Sequence, residues 1–223
     1  GLPALSFVLV IFNQRALSDR AHLITLPTIT FSLGLALYVA WVKLHAAAAV
    51  PIEWSAPWLT LGHLPGGELL RLPVGILVDN TTAVLMVVVT AVSFLVNLYS
   101  SEYLKHDVRY ARYFAFLGLF TASMLGVLLS SDLFVLFMCW ELVGFTSYAL
   151  IGHWYERPAP PAAANKAFIV NRVGDAFVWI GLLLLFLQFH TLRYRELFAA
   201  IEHGLPLGFS LLGLSPEATL TCT

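Results

Sequence analysis

The sequence predicts an all-α integral membrane protein: a polytopic bundle of about six transmembrane helices, with a short hairpin-like segment outside the membrane. Three observations predict it. The 223 residues are 59% hydrophobic and only 11% charged, where an ordinary soluble domain carries roughly a quarter charged residues. The mean hydropathy is +0.83. The apolar residues gather in runs near the ~20 residues that cross a hydrocarbon core of about 30 Å, and half of the 12 Lys and Arg fall between alternate runs. A formal net charge of −1 provides no basic face for a nucleic acid. Cys139 lies inside a run and Cys222 beside the end, a poor arrangement for a disulfide or a metal site. There is no C-x-x-C, G-x-G-x-x-G or P-loop pattern, so the chain shows no means of its own to hold an iron–sulfur cluster, a flavin or a nucleotide.

The elements follow in order. Residues 2–12 are apolar but too short to span, and Gly1 already lies in the run, so the true start is expected upstream. A cleaved signal peptide leaves no trace. Residues 13–22 form a polar turn. Residues 23–44 form the second span, with Pro27 in its first turn, where a missing N–H does least harm, and with Tyr38 and Trp41 near the far interface. Residues 46–78 alternate apolar pieces with prolines and glycines. They read as an extramembrane loop with a β-hairpin, of which LLRLPVGILVD is one strand and in which Trp54 and Trp58 rest on the membrane surface. Asp79 and Asn80 suit the N-cap of a third span over 80–99. A charged loop, 100–112, leads to a fourth span, 113–129. Ser130–Asp132 make a tight turn into a fifth, 133–151. A polar loop closing on Pro-Ala-Pro-Pro stops that helix and starts the sixth, 162–189. The segment TLRYRELFAAIEHG has helical spacing, with Leu192, Leu197, Phe198 and Ile201 on one face. The chain thus divides into a helix pair (1–44), an outer loop (45–78), four further spans (79–189) and an outer tail (190–223) beyond which more chain is expected.

Orientation follows from Lys and Arg in the loops. Arg15, Arg20, Lys105, Arg109, Arg112 and Arg157 follow the odd-numbered spans and Arg71 alone lies in the loops after spans two and four, which places the N-terminus and the Pro/Gly-rich loop outside. Arg193 and Arg195 break the pattern.

Four charges lie within the fifth and sixth predicted spans. Glu141 is nine residues past Asp132, about 13 Å along a helix and close to the membrane midplane. Such an acid is either structural, protonated or hydrogen-bonded to a neighbouring helix, or a functional group. Burial and a nearby cation act on its proton affinity in opposite directions, a combination that suits a group that both takes and gives a proton. Arg172 and Asp175 are three residues apart and share a helix face, where Asn171 can join them. They either lock packing as a neutral pair or open and alter the field at Glu141. Lys166 either snorkels to the surface or serves as a proton acceptor or partner of Glu141. All seven histidines fall in loops or at span ends and read as wet or interfacial. His153 is the candidate for a proton entry point. Trp and Phe in the spans read as packing or lipid-facing.

The pieces MCWELVGFTSYALIGHWY, AAANKAFIVNRVGDAF and TLRYREL, with YSSEYL and RYFAFLGLFTASM before them, resemble the antiporter-like membrane subunits of respiratory complex I, of the subunit L (NuoL) type whose mitochondrial counterpart is subunit 5. The W-E pair also occurs in related cation/proton antiporter and membrane-bound hydrogenase subunits. The resemblance covers residues 78 to about 197. It implies inverted repeats of five helices, the first beginning at the fourth span, each forming half of a proton channel. It also implies that Glu141 is the family's mid-membrane glutamate and that Arg172 and Asp175 are its Arg–Asp pair. A lysine partner of the glutamate is then expected on a helix beyond Thr223, so the sequence reads as about a third of such a subunit. FMN, iron–sulfur clusters and quinone are expected on partner subunits, among them an adjacent antiporter-like subunit, in a bacterial cell membrane. The implied function is proton translocation by an NADH:quinone oxidoreductase. A subunit of a Na⁺/H⁺ antiporter is the alternative, and a purely structural membrane scaffold is a third reading.

Overall fold

A computed structural model describes residues 1–14, 17, 20–45, 51–63 and 69–202. The elements are α1 (Leu2–Phe12), α2 (His22–His45), β1 (Ile52–His63), β2 (Leu69–Val78), α3 (Asn80–Tyr103), α4 (Tyr110–Leu129), α5 (Leu133–Ile151), α6 (Ala159–Phe189) and α7 (Tyr194–Glu202). Among the described residues, five helices, α2 to α6, are long and apolar enough to cross a membrane. The sixth expected crossing corresponds to α1, an apolar helix of 11 residues. The expected tail beyond 202, with His203 and Cys222, lies outside the described residues, as does Arg15.

The helices pack in the manner of a membrane bundle, with small and hydroxyl residues inside and large apolar ones outside. Ser6, Ala36, Ala83, Ser93, Thr121 and Thr146 are buried, while Phe31, Trp41, Leu95, Ile169 and Phe177 are exposed. The close approaches occur at glycines. A Cβ on Gly118 would lie 2.8 Å from Ser6 Oγ, so α4 can lie against α1 only because Gly118 has no side chain. A Cβ on Gly126 would lie 2.6 Å from Cys139 Sγ, where α4 meets α5. α2 packs on α3, and α5 on α6.

Several boundaries differ from expectation. Pro27 is inside α2, because the helix begins at His22. The missing N–H leaves a carbonyl unpaired one turn back, and hydroxyls occupy the neighbouring ones. Thr28 Oγ1 donates to Ile24 O at 3.0 Å or Thr25 O at 2.8 Å. α6 starts at Ala159 rather than 162, because prolines suit the first helical positions. Its 31 residues make about 46 Å of helix, so it tilts or extends past the core. α4 begins at Tyr110 and α3 runs on to Tyr103. α7 does not bury one whole face: Leu197 is buried, but Phe198 and Ile201 are exposed.

The Pro/Gly-rich loop is a two-stranded antiparallel hairpin, with Ile52 opposite Val78 and Trp54 opposite Ile76. Both Trp54 and Trp58 are exposed. The hairpin lies against the turn between α4 and α5. Ser131 N donates to Gly75 O at 3.3 Å, and a Cβ on Gly75 would run into Ser131 Oγ. One end of the bundle therefore carries the hairpin, the Ser130–Asp132 turn and α7. The opposite end carries the α3–α4 loop and the α5–α6 turn.

Candidate functional site

α5 is set in register by its cap, in which Asp132 Oδ1 accepts from Phe134 N at 2.8 Å. Nine residues on, Glu141 meets α6. Arg172 reaches across from α6 and its Nη1 forms an ion pair with Glu141 Oε2. The same Nη1 lies 3.4 Å from Asp175 Oδ2. Trp140 donates its indole N–H to Asp175 Oδ1 at 3.1 Å. Gly144 lies one turn past Glu141, and a Cβ there would be 3.0 Å from Arg172 Nη2, so the guanidinium lies flush against α5 only because position 144 is bare. The guanidinium also lies 4.7 Å from the Phe168 ring centroid, a favourable cation–π distance. Asp175 is buried, whereas Glu141 and Arg172 are half-buried.

This arrangement places one cation against two acids at mid-span. With both acids ionised the cluster carries a net negative charge, and it is neutral only when one acid holds a proton. A low-dielectric surround penalises such a net charge. The sequence spacing anticipated the Arg172–Asp175 contact. It did not reveal that Arg172 takes Glu141 as well, nor the parts played by Trp140, Phe168 and Gly144. The signals were present: Trp140 adjoins Glu141, and Gly144 follows it at i+3, on the same face.

Lys166 is not brought to the cluster. It is exposed on α6, and six residues before Arg172 it points about 240° around the helix. Arg172 holds the place at Glu141 that Lys166 was a candidate for. Asn171 is exposed and is absent from the cluster's hydrogen bonds.

His153 is buried, not wet. Its ring stacks edge-on against Tyr113 and Trp154. Its Nε2 lies 3.4 Å from Asp107 Oδ1, long for a hydrogen bond, so the contact is chiefly electrostatic. Asp107 clasps the two loops, accepting from Trp154 Nε1 at 2.7 Å and from Arg109 N at 2.7 Å. Burial raises the Asp107 carboxyl, but the Arg109 amide, the Trp154 indole and His153 outweigh it and hold it below its ordinary value. Burial lowers His153, and Asp107 offsets only part of that. His22 is likewise engaged, its Nδ1 2.9 Å from the Tyr110 hydroxyl. Both clasp groups have folded-state values below their unfolded ones. Each therefore contributes stability that is present above its unfolded value and is lost as pH falls through the folded one. For His153 the loss begins below about pH 6.5. Hydrogen exchange at residues 105–109 and 153–157, corrected for its intrinsic pH dependence, is expected to quicken between pH 7 and pH 5. Equal protection at both pH values contradicts this.

At the hairpin end, Glu53 accepts from Arg193 at 3.1 Å and pairs with Arg195 at 2.9 Å, while Arg193 also pairs with Glu196 at 2.8 Å. The two arginines that broke the loop-charge pattern are thus neutralised locally, and they tie the hairpin to α7. Asp132 is buried beside them. Burial raises its carboxyl above the ordinary value, against the Phe134 and Val135 amides and Arg193.

A polytopic helix bundle with a shared Glu–Arg–Asp cluster at mid-span defines an integral membrane protein with an ionic cluster inside its bundle. Residues 58–114 match the family model described as "NADH-Ubiquinone oxidoreductase (complex I), chain 5 N-terminus", and residues 130–215 match "NADH:quinone oxidoreductase/Mrp antiporter, TM". The chain belongs to this family of antiporter-like subunits of complex I. It is 40% identical over 200 residues to NADH-quinone oxidoreductase subunit L of Neisseria meningitidis, covering 89% of this chain and 29% of that protein. It is 37% identical over 199 residues to chloroplastic NAD(P)H-quinone oxidoreductase subunit 5 of Nephroselmis olivacea, covering 89% and 28%. The chain thus spans under a third of the length of the curated relatives it matches. Among solved structures, an archaeal membrane-bound sulfane sulfur reductase shares the fold, with a TM-score of 0.71 at 20% identity over 88% of this chain and 38% of that one. The Mrp complex from Dietzia sp. DQ12-45-1b matches with a TM-score of 0.67 at 26% identity over 88% and 20%.

Proposed function

We infer that this chain is part of a proton-translocating membrane subunit of an NADH:quinone oxidoreductase. The observation that carries the reading is the single guanidinium of Arg172 held between Glu141 and Asp175. While Arg172 contacts Glu141, the carboxylate is favoured. When Arg172 turns to Asp175 alone, Glu141 is left uncompensated in a low-dielectric site and takes up a proton. Return of Arg172 expels it. The event that moves Arg172 is charge displacement arriving from neighbouring subunits, driven by quinone reduction elsewhere in the complex. FMN, the iron–sulfur clusters and quinone are assigned to those partners, including an adjacent antiporter-like subunit, and no cofactor to this chain. In this reading the α5–α6 turn faces the cytoplasm and the N-terminus and hairpin face outside a bacterial cell membrane, an orientation supported by the Lys and Arg of the odd-numbered loops.

A second reading, a subunit of a multi-subunit Na⁺/H⁺ antiporter, is favoured by the likeness to the Mrp complex. The identities to subunit L and subunit 5 proteins favour the first. A native mass spectrum of the membrane complex that contains this chain separates them. Co-purification with subunits bearing flavin and iron–sulfur clusters is expected. Small membrane subunits alone, with no redox centre, would overturn the oxidoreductase reading in favour of the antiporter.

A further inference from the structure

Val88, Val92, Val96, Tyr99 and Tyr103 recur at intervals of three and four, so they share one face of α3. All five are exposed. The three valines, with Leu117 and Phe120 of α4 and Leu150 of α5, wall a cavity of about 400 Å³. Because the valines are exposed, the cavity opens on the outer surface of the bundle. Its hydroxyl-bearing lining residues are already engaged, Ser93 with Thr121 at 2.5 Å and Tyr113 with Ser100 at 3.3 Å. The space they leave is therefore suited to hydrocarbon rather than water.

The cavity runs along the helices. Val96 lies seven residues from the end of α3 at Tyr103 and Val88 fifteen, so the α3 wall extends from about 10 to about 22 Å below that end. The α4 wall, from Leu117 to Met124, covers the same depths reckoned from Tyr110. This is the path of a lipid tail that enters from the end carrying the α3–α4 loop and reaches the middle of a ~30 Å core. Width points the same way. Spread over the 12 Å rise from Val88 to Val96, the 400 Å³ gives a cross-section of about 33 Å², whereas a helix about 10 Å across needs about 80 Å². The exposed stripe also lacks the small residues that let membrane helices approach one another.

Above the cavity the same stripe turns aromatic. The Tyr99 and Tyr103 rings stack at 5.3 Å, and Tyr103 lies 6.5 Å from the Trp154 ring. Tyrosine and tryptophan favour the headgroup level, where a ring meets hydrocarbon and its polar tip meets water. The Arg157 guanidinium lies 5.4 Å from the Trp154 ring centroid. Arg157 is exposed and takes part in no ion pair among the described residues. The acids at this end are already compensated: Glu102 by Lys105 at 3.1 Å, Glu156 by Arg109 at 2.8 Å, and Asp107 by His153 and the Trp154 indole. The rim of the cavity thus presents an uncompensated guanidinium, whose fork matches a phosphate.

We propose that the groove between α3, α4 and α5 binds one anionic glycerophospholipid, with its phosphate on Arg157 at the Tyr99–Tyr103–Trp154 rim and one acyl chain in the valine-walled cavity. The site lies apart from the Glu141 cluster and does not depend on what the subunit transports.

The test uses the intact complex that contains this chain, in native membrane vesicles. Trace phosphatidylglycerol or phosphatidylcholine is added, each with a photoreactive diazirine part-way along one acyl chain. After illumination the labelled residues are read by peptide mass spectrometry, at equal amounts of assembled complex. Phosphatidylglycerol is expected to label residues 88–96 and 117–124. Arg157→Gln is expected to lower that labelling about fivefold, the worth of one basic side chain at an anionic surface. Phosphatidylcholine is expected to label the same residues more weakly and to be insensitive to Arg157→Gln. Val92→Trp, which fills the groove, is expected to remove labelling by either lipid. Absence of label from both segments in the assembled wild-type complex would show that protein covers the groove and overturn the proposal. Equal labelling by the two lipids, unchanged in Arg157→Gln, would show passing bilayer contact and overturn it as well. Where Val92→Trp does not assemble, Arg157→Gln decides, because its side chain is exposed and its loss breaks no ion pair.

Discussion

Arg172→Leu is expected to leave almost no assembled complex. The substitution preserves the bulk of the side chain but removes the cation shared by Glu141 and Asp175. Asp175 is buried, with only the Trp140 indole left to it. Removing one partner of a buried pair costs about 3–5 kcal/mol, and the half-exposed Glu141 side brings this toward the lower figure. Against a typical net stability of about 5–15 kcal/mol, such a loss selects against the folded subunit. Arg172→Lys keeps the charge but loses the planar fork that lies against Gly144 and Phe168, so assembly with impaired pumping is expected. Native gels of solubilised membranes read both. Normal amounts of complex with Arg172→Leu would show that the pair does not hold α5 to α6.

Glu141→Gln is expected to have the opposite profile, with assembly kept and proton transfer lost. The amide has nearly the same shape, and its carbonyl still accepts from Arg172. It cannot exchange a proton. A positioned acid–base group contributes about 10²–10⁴-fold to a proton-transfer step, so transfer through this subunit is expected to slow at least about tenfold. NADH-driven acidification of everted vesicles, measured per NADH oxidised, reads this. Unchanged acidification with intact complex would support a purely structural scaffold.

The parts of the molecule legible in the sequence are those set by local chemistry. α5 runs from Leu133 to Ile151 as expected, because Asp132 caps it and a polar loop follows Ile151. Arg172 and Asp175 were readable as neighbours because three residues make nearly one helical turn. What was not legible depends on contacts between distant segments. The burial of His153 depends on Asp107 and Trp154 closing two loops over it. The outer-side arginines, Arg193 and Arg195, look anomalous until Glu53, 140 residues before Arg193, is found between them. Spacing alone leaves Lys166 free either to snorkel or to pair with Glu141; its position on the helix turns it away, whereas Arg172 reaches past the bare Gly144.

The central claim is that Glu141 exchanges a proton as Arg172 moves between two acids. Infrared difference spectra of the complex at rest and during NADH turnover, for the wild type and Glu141→Gln, test it most directly. The account predicts a protonated-carboxyl C=O band that rises during turnover in the wild type and is missing from the variant. Identical difference spectra in the two would contradict it.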